Sequence, residues 1–177
     1  PREETCQALC HALLYLKSSR DKKLVYRACD NIVDYRSHLS AYSDASFAEE
    51  KTGRKSTTGL LVTINNSPLY WKSASQRLVT LSTCESELVA LATVCKELRF
   101  IDFLCSDIFN GFNDSHHLKG EVLPLSIHCV DKNPVSVNCD NQAAIILANK
   151  GYTTARSKHL DLRTNYVAEL IDRRLVK

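Results

Sequence analysis

The sequence predicts an α/β domain in which helices pack on a mixed β-sheet. Apolar runs of strand length follow one another after Leu39, and turn-forming residues separate them. A long stripe of apolar residues at helical spacing begins near Leu88. Strand-like and helix-like segments then continue to the end of the chain. The order strand, strand, strand, helix, strand, helix, helix favours a mixed sheet flanked by helices.

The N-terminal residues 3–17 predict a helix of about four turns. Residues 18–38 are interpreted as turns with a short strand at residues 24–26. This first stretch is typical of a connector rather than of a catalytic unit. The apolar stripe of the N-terminal helix consists of Ala8, Leu9, Ala12, Leu13 and Leu16.

Three neighbouring antiparallel strands are predicted between residues 39 and 82, because strand-like runs there are interrupted at Asn65-Asn66 and at residues 73–75. Ser82 and Thr83 are good N-terminal caps, and an apolar helical stripe extends from them to about Phe109. A long helix is therefore expected to follow the third strand.

The remaining third of the chain predicts a loop at residues 110–121 and buried strands at 123–130 and 134–139. Helices are expected at residues 142–150 and 158–174. We interpret the stretch around residues 112–134 as a surface excursion.

Composition narrows the class of protein. No stretch approaches the roughly 18 uninterrupted apolar residues that a membrane span requires, so we expect no membrane partner. The net charge of +3 is too small to identify a polyanionic partner by itself. The chain begins with Pro1 and contains no methionine, so we expect it to be a segment of a longer protein.

The eight cysteines are scattered through apolar runs without framework spacing, and we interpret them as buried free thiols. Cys6 and Cys10 lie beside His11, but no second ligand pair follows at zinc-finger spacing, so packing is favoured over zinc. A thiol or metal enzyme using Cys84 or Cys139 would need a histidine partner that no motif supplies.

Three carboxylates stand where chemistry could occur. Asp44 lies within a strand-like run, where it would be expensive to bury without a partner. Glu87 lies in the first turn of the long helix, and Asp140 follows a strand. If these elements are neighbours, the carboxylates converge and repel unless a hard divalent cation neutralises them. The alternative is that they are helix caps or solvated residues.

Four ordered motifs resemble the RNase H domain of copia-type LTR retrotransposon Pol polyproteins. They are AYSDASFAEEKTGRKSTTGLLV, LYWKSASQRLVTLSTCESELVAL, VNCDNQAAIILANK and ARSKHLDLRTNYVAELI. The N-terminal QALCHALLYLKSSRDKKLVYR is similar to the end of the preceding reverse transcriptase connection. The resemblance thus places the connection at residues 1–38 and an RNase H-like domain at residues 39–177.

The resemblance implies an RNase H-like five-stranded mixed sheet and hydrolysis of the RNA strand of RNA–DNA hybrids. It makes Asp44, Glu87 and Asp140 both catalytic residues and ligands of Mg²⁺ or Mn²⁺, with two ions expected. Glu85 competes with Glu87, but it is better explained by stabilisation of the helix N-terminus. The partners implied are the hybrid and the reverse transcriptase portion of the polyprotein, in cytoplasmic virus-like particles or the nucleus.

Hybrids are held mainly through phosphates and 2′-hydroxyls, so basic and polar residues near the carboxylates are candidate contacts. Ser56 and its neighbours could equally form a turn, and Asn141 could equally cap a helix. Trp71 could support a phosphate contact but is favoured as a core residue. The candidate substrate-binding residues are Arg54, Lys55, Ser56, Asn141, Gln142, Arg156, Lys158 and His159.

The family's last strand and its segment with a fourth carboxylate are not apparent before Lys177. A second hypothesis follows, in which the chain is a catalytically inactive or domesticated RNase H-like fragment. Such a fragment would act as a structural or nucleic-acid-binding module. Cleavage of a hybrid distinguishes the two hypotheses.

Overall fold

The computed structural model describes residues 2–28, 35–48, 53–113, 133–151 and 158–177, without the side chains of 109–113 and 158–161. It confirms the α/β class and the mixed sheet. The elements are α1 (Glu3–Ser19), a 3-10 helix (Tyr35–His38), β1 (Leu39–Ser46), β2 (Thr57–Ile64), β3 (Ser67–Ser75), α2 (Thr83–Asn113), β4 (Ser136–Cys139), α3 (Gln142–Lys150) and α4 (Lys158–Asp172).

Two local predictions were wrong. Residues 24–26 are not a strand, and residues 110–113 continue α2 instead of beginning a loop. The strand expected at residues 123–130 lies outside the described residues. Helices 142–150 and 158–174 agree with α3 and α4 to within two residues.

The four strands lie in the order β3-β2-β1-β4. β1 pairs antiparallel with β2 and parallel with β4. Because side chains alternate along a strand, Leu39 and Ala41 are buried on the face that packs against α2, while Tyr42 is exposed on the other face. Trp71 is 57% exposed, so its interpretation as a core residue was wrong.

A fifth backbone segment lies along the free edge of β4. Val176 forms a parallel bridge with Val135. The amide of Lys177 donates to the Val135 carbonyl at 2.9 Å, and its carbonyl accepts from Val137 at 2.9 Å. The described sheet nevertheless has four strands, which agrees with the expectation that the last strand is missing, because the Val135–Val176 pair is an isolated bridge.

The beginning of α2 is fixed by a reciprocal cap. The Ser82 hydroxyl accepts from the Glu85 amide at 3.2 Å, and the Glu85 carboxylate accepts from the Leu81 amide at 2.7 Å. Glu85 is buried, and its carboxylate stabilises the start of α2, as the sequence indicated. From this start α2 carries its apolar residues, including Leu91 and Leu98, into the core.

The far half of α2 is tied to the 3-10 helix by a buried ion pair. The guanidinium of Arg36 donates to both carboxylate oxygens of Asp102, at 2.8 and 2.7 Å. The Tyr35 hydroxyl donates to the same carboxylate at 2.9 Å. Arg36 is only 3% exposed, so the pair links the entry into β1 to α2 at a site that water hardly reaches.

The N-terminal helix α1 differs from the other helices. Within the described part of the chain it buries no side chain, and Leu9, Leu13 and Leu16 of its stripe are each more than half exposed. Cys6 and Cys10 on this helix are also exposed, which corrects the expectation that they are buried thiols. No helix in the described ranges is long and apolar enough to cross a membrane.

Candidate metal centre

The pairing of β1 with β4 brings two distant carboxylates to one edge of the sheet. Ser43 and Cys139 are the last registered pair of the parallel ladder. Asp44 is the next residue of β1 and Asp140 directly follows β4, so both belong to the same edge of the sheet. Both residues are exposed. Asp44 is therefore not buried, so the cost of burying a carboxylate at this position does not arise.

The third carboxylate enters from the first turn of α2. Glu87 is 6% exposed, and its Oε1 accepts a hydrogen bond from the Ala45 amide at 3.3 Å. This bond directs the carboxylate towards the end of β1. A carboxylate oxygen of Glu87, the sulfur of Cys139 and a carboxylate oxygen of Asp140 all lie within 4.8 Å of one another. Asp44 lies beside this group but contributes no atom to it.

Burial is the largest cause that raises the pKa of Glu87, and the negative charges of Asp140 and Asp44 raise it further. The Ala45 amide opposes the shift by stabilising the ionised form. The charges of Asp140 and Asp44 therefore both act on the Glu87 carboxylate. A divalent cation at this edge would remove the repulsion, and oxygen donors of this kind suit Mg²⁺ or Mn²⁺.

Replacing Glu87 with glutamine should stabilise the metal-free protein at neutral pH, by roughly the 0.5–2 kcal/mol that single stabilising substitutions commonly yield. The amide keeps an oxygen for the Ala45 N–H but carries no charge. Because the pKa of Glu87 is raised in the folded state, ionisation of this residue lowers the free energy of unfolding of the wild-type protein above that pKa. The penalty shrinks as the pH falls through it and is gone below the ordinary glutamate pKa.

Urea denaturation of both proteins across this pH range, without metal, measures the difference. Glu85→Gln is the matched control, and it should destabilise slightly, because it keeps an oxygen for the Leu81 amide but removes a negative charge from the first turn of α2. Equal stability of wild type and Glu87→Gln at neutral pH would contradict the electrostatic account.

The predicted substrate residues have different surroundings. Arg54 is exposed and has a left-handed backbone with φ of 51°, and Lys55 is half-buried. Ser56 is fully buried, and its hydroxyl bonds Thr80 Oγ1 at 2.8 Å and accepts from the Ala48 amide at 3.2 Å. Its assignment to substrate is corrected, because this hydroxyl secures the turn between β1 and β2.

The residues after Asp140 begin a helix. The Asn141 side chain caps α3 by accepting from the Ala144 amide at 3.0 Å, while Gln142 is exposed. Arg156 lies outside the described residues. Lys158 and His159 begin α4, but their side chains lie outside the description.

The sequence analysis considered Cys139 as a metal-binding or nucleophilic residue but set it aside in favour of packing, although its sulfur lies within the group at this edge. It interpreted the residue as a buried strand position, whereas the half-buried thiol lies 4.0 Å from Glu87 Oε2. The adjacency of Cys139 to Asp140 was the available signal. This adjacency alone did not place Cys139 at the site, because the sequence does not show that the start of α2 lies opposite β4.

Comparison with known proteins places this geometry in context. No family model matches the chain. The chain is 30% identical over 172 residues to a retrovirus-related Pol polyprotein from transposon TNT 1-94 of Nicotiana tabacum, covering 97% of the chain and 11% of that polyprotein. It is 26% identical over 167 residues to the Pol polyprotein from transposon RE2 of Arabidopsis thaliana, covering 94% and 10%. The chain spans about one tenth of the length of these relatives.

A solved structure of LC11-RNase H1 in complex with an RNA/DNA hybrid is also similar, with 15% identity and a TM-score of 0.39, over 77% of this chain and 78% of that one. The described strands form a mixed sheet in the order β3-β2-β1-β4, and α2 lies between β3 and β4 along the chain. The chain is homologous to a segment of the Pol polyproteins of copia-type plant retrotransposons, so the resemblance indicated by the motifs is confirmed.

Proposed function

We propose that this chain carries a metal-dependent ribonuclease H-type endonuclease that hydrolyses the RNA strand of RNA–DNA hybrids during reverse transcription of a retrotransposon. The observation that carries the proposal is the convergence of Glu87 and Asp140 beside Asp44 at one edge of the sheet. The raised pKa of Glu87 supports it, because such a shift is expected where carboxylates are assembled to share a cation.

The residues fit Mg²⁺ or Mn²⁺. Asp44 and Asp140 are exposed, which leaves room for water and a phosphate between them, whereas Glu87 supplies a fixed carboxylate from the protein side. Two bound ions would supply an activated water and stabilisation of the leaving oxygen in phosphodiester hydrolysis. Glu87 must be ionised to act as a ligand. We therefore expect activity to fall when the pH is lowered towards the raised pKa of this residue.

The hybrid would lie across the carboxylate edge. Arg54, Lys55 and Gln142 are at least partly accessible and follow β1 and β4, which makes them candidates for phosphate and sugar contacts. Arg156, Lys158 and His159 remain candidates from the sequence alone.

We further propose that residues 39–177 form the nuclease domain and that residues 1–38 belong to the end of the reverse transcriptase connection. The exposed apolar stripe of α1 supports this division, because it buries nothing against the described remainder of the chain. The reverse transcriptase portion of the polyprotein is the partner that would cover it. The proposed location is the virus-like particle in the cytoplasm, or the nucleus.

Cleavage of a labelled RNA–DNA hybrid tests the proposal. The folded protein should cut the RNA strand with Mg²⁺ or Mn²⁺, and EDTA should stop cleavage. Duplex RNA of the same sequence is the control substrate and should stay intact. No cleavage by folded protein that still binds the hybrid would favour the inactive, nucleic-acid-binding fragment instead.

Removing the charge of Arg54 should weaken hybrid binding. It should also reduce the steepness with which the logarithm of the association constant falls with the logarithm of salt concentration, by about one. Asparagine is the suitable replacement, because it tolerates the left-handed backbone of this position. Fluorescence anisotropy with a labelled hybrid at several salt concentrations measures the effect.

Arg174→Asn is the matched control. Arg174 is exposed and has a φ of 53°, but it lies near the start of β4, away from the carboxylate end. Equal salt slopes for Arg54→Asn and Arg174→Asn would remove Arg54 from the proposed interface.

A further inference from the structure

Four residues of α1 have the spacing of a two-helix contact and are not covered by the described remainder of the chain. Cys6, Leu9, Leu13 and Leu16 alternate steps of three and four residues, as the contact positions of a coiled coil do. We call these four residues the seam. Each of its leucines is more than half exposed, and Cys6 is exposed as well. A helix of 17 residues is marginal in water without packing, so the seam is expected to have a partner.

The seam matches a second copy of itself when the two helices run antiparallel. The contact positions then meet in reverse order, so Leu9 faces Leu13 of the second copy and Cys6 faces its Leu16. Every contact occurs twice, because the same surface of both copies meets across a two-fold axis. Each seam residue therefore has an apolar neighbour in this arrangement.

The charges of α1 favour this orientation. Glu3 and Glu4 lie in its first turn and Lys17 lies in its last turn. Glu3 and Lys17 are two heptads apart, so both flank the seam on the same side. In an antiparallel pair, Glu3 of each copy lies beside Lys17 of the other, and the helix dipoles oppose each other favourably. A parallel pair would bring the acidic ends together and the basic ends together. Arg20, which follows the helix, already pairs with Asp21 at 3.5 Å.

We propose that α1 is a self-association surface through which two copies of this chain form a weak antiparallel dimer. This goes beyond the proposed function, which assigns the apolar stripe of α1 to the reverse transcriptase portion of the polyprotein. The two partners compete for one surface, and the chain by itself offers only the second copy. The dimer is weak because two short helices bury less than the roughly 1,200 Å² of the smaller stable interfaces.

Sedimentation equilibrium of the whole chain, under reducing conditions and over a range of concentrations, tests the proposal. The wild-type chain should dimerise reversibly. Leu13→Ala should weaken the dimer at least about tenfold, because the apolar contact is lost from both copies. Leu14→Ala is the matched control, since Leu14 is 64% exposed on the same helix but lies outside the seam. It should leave dimerisation unchanged.

Charge reversal tests the pairing across the interface. Lys17→Glu should weaken the dimer at least about threefold, because each new carboxylate faces Glu3 of the other copy. Adding Glu3→Lys should recover part of the affinity, although the reversed charges oppose the dipole of each helix. Lys22→Glu changes an exposed lysine beyond the helix and should have no effect. No recovery in the double variant would contradict the antiparallel match.

The two exposed cysteines of α1 report the orientation directly. In the antiparallel pair Cys10 lies beside Cys10 of the other copy, whereas the two Cys6 residues lie about 15 Å apart along the helix axis. A short bismaleimide should therefore link the Cys6→Ser chain, which keeps Cys10, into a covalent dimer. It should link the Cys10→Ser chain several-fold less. The reverse preference would indicate a parallel pair and overturn the proposal.

The remaining outcomes separate the possible partners of α1. A chain that stays monomeric up to about 1 mM would overturn self-association and leave the stripe to the reverse transcriptase portion. Equal weakening by Leu13→Ala and Leu14→Ala would show that any dimer uses another surface. None of these measurements depends on hybrid cleavage, so the nuclease proposal is tested separately.

Discussion

Asp140→Asn should lower hybrid cleavage by at least about 10³-fold while leaving the fold intact. Asp140 is exposed at the end of β4, so the substitution removes a charge without disturbing packing. The loss follows because a neutral amide does not offset the charge of a divalent cation as a carboxylate does. The measurement is the rate of RNA-strand cleavage at saturating Mg²⁺, with hybrid binding measured separately.

Asp44→Asn should behave in the same way, because Asp44 is the adjacent residue on the neighbouring parallel strand. Asp107→Asn is the control, since Asp107 is an exposed acid on the far half of α2. Wild-type rates in Asp140→Asn or Asp44→Asn would refute the proposed metal centre. Wild-type rates in Asp107→Asn are required for the loss to be specific.

Asp102→Asn should destabilise the domain by roughly 3–5 kcal/mol, because it leaves the buried guanidinium of Arg36 without its carboxylate. Domains of this size are stable by only about 5–15 kcal/mol, so the variant should lose a large part of its stability. The unfolding midpoint in urea measures the loss.

Glu97→Gln is the matched control for charge removal on the same helix. The Glu97 carboxylate lies 3.8 Å from Lys72, in a pair whose lysine is about half exposed, and such pairs contribute less than about 1 kcal/mol. A double variant with Arg36→Met and Asp102→Leu should recover stability relative to Asp102→Asn, because no charge then remains buried. Similar losses of stability for Asp102→Asn and Glu97→Gln would contradict the expectation that breaking the buried pair costs more than breaking the exposed one.

The two sets of variants separate function from folding along α2. Removing the charge of Glu87, at the start of α2, should lower cleavage activity and raise the stability of the metal-free protein. Replacing Asp102, in the far half of α2, should lower the stability of the domain, although this residue does not contact the carboxylate edge. This contrast is expected when a helix both supports the core and presents a ligand from its first turn.

Local patterns in the sequence determined the α/β class, the order of the elements and the start of α2 at the Ser82 and Glu85 cap. Motif resemblance then gave Asp44, Glu87 and Asp140 as candidate ligands, which remain predictions until cleavage is measured. These features are accessible because strand alternation, helical spacing and capping depend on residues close together in the chain.

Tertiary structure alone decided which side chains meet. The β1–β4 ladder ends at the Ser43–Cys139 pair, directly before Asp44 and Asp140, and the packing of α2 places Glu87 against the Cys139 thiol. Long-range packing also buried Ser56 and left Trp71 exposed, contrary to expectation. The physical reason is that register and burial depend on partners distant in sequence, whereas the residues themselves set only which face each side chain occupies.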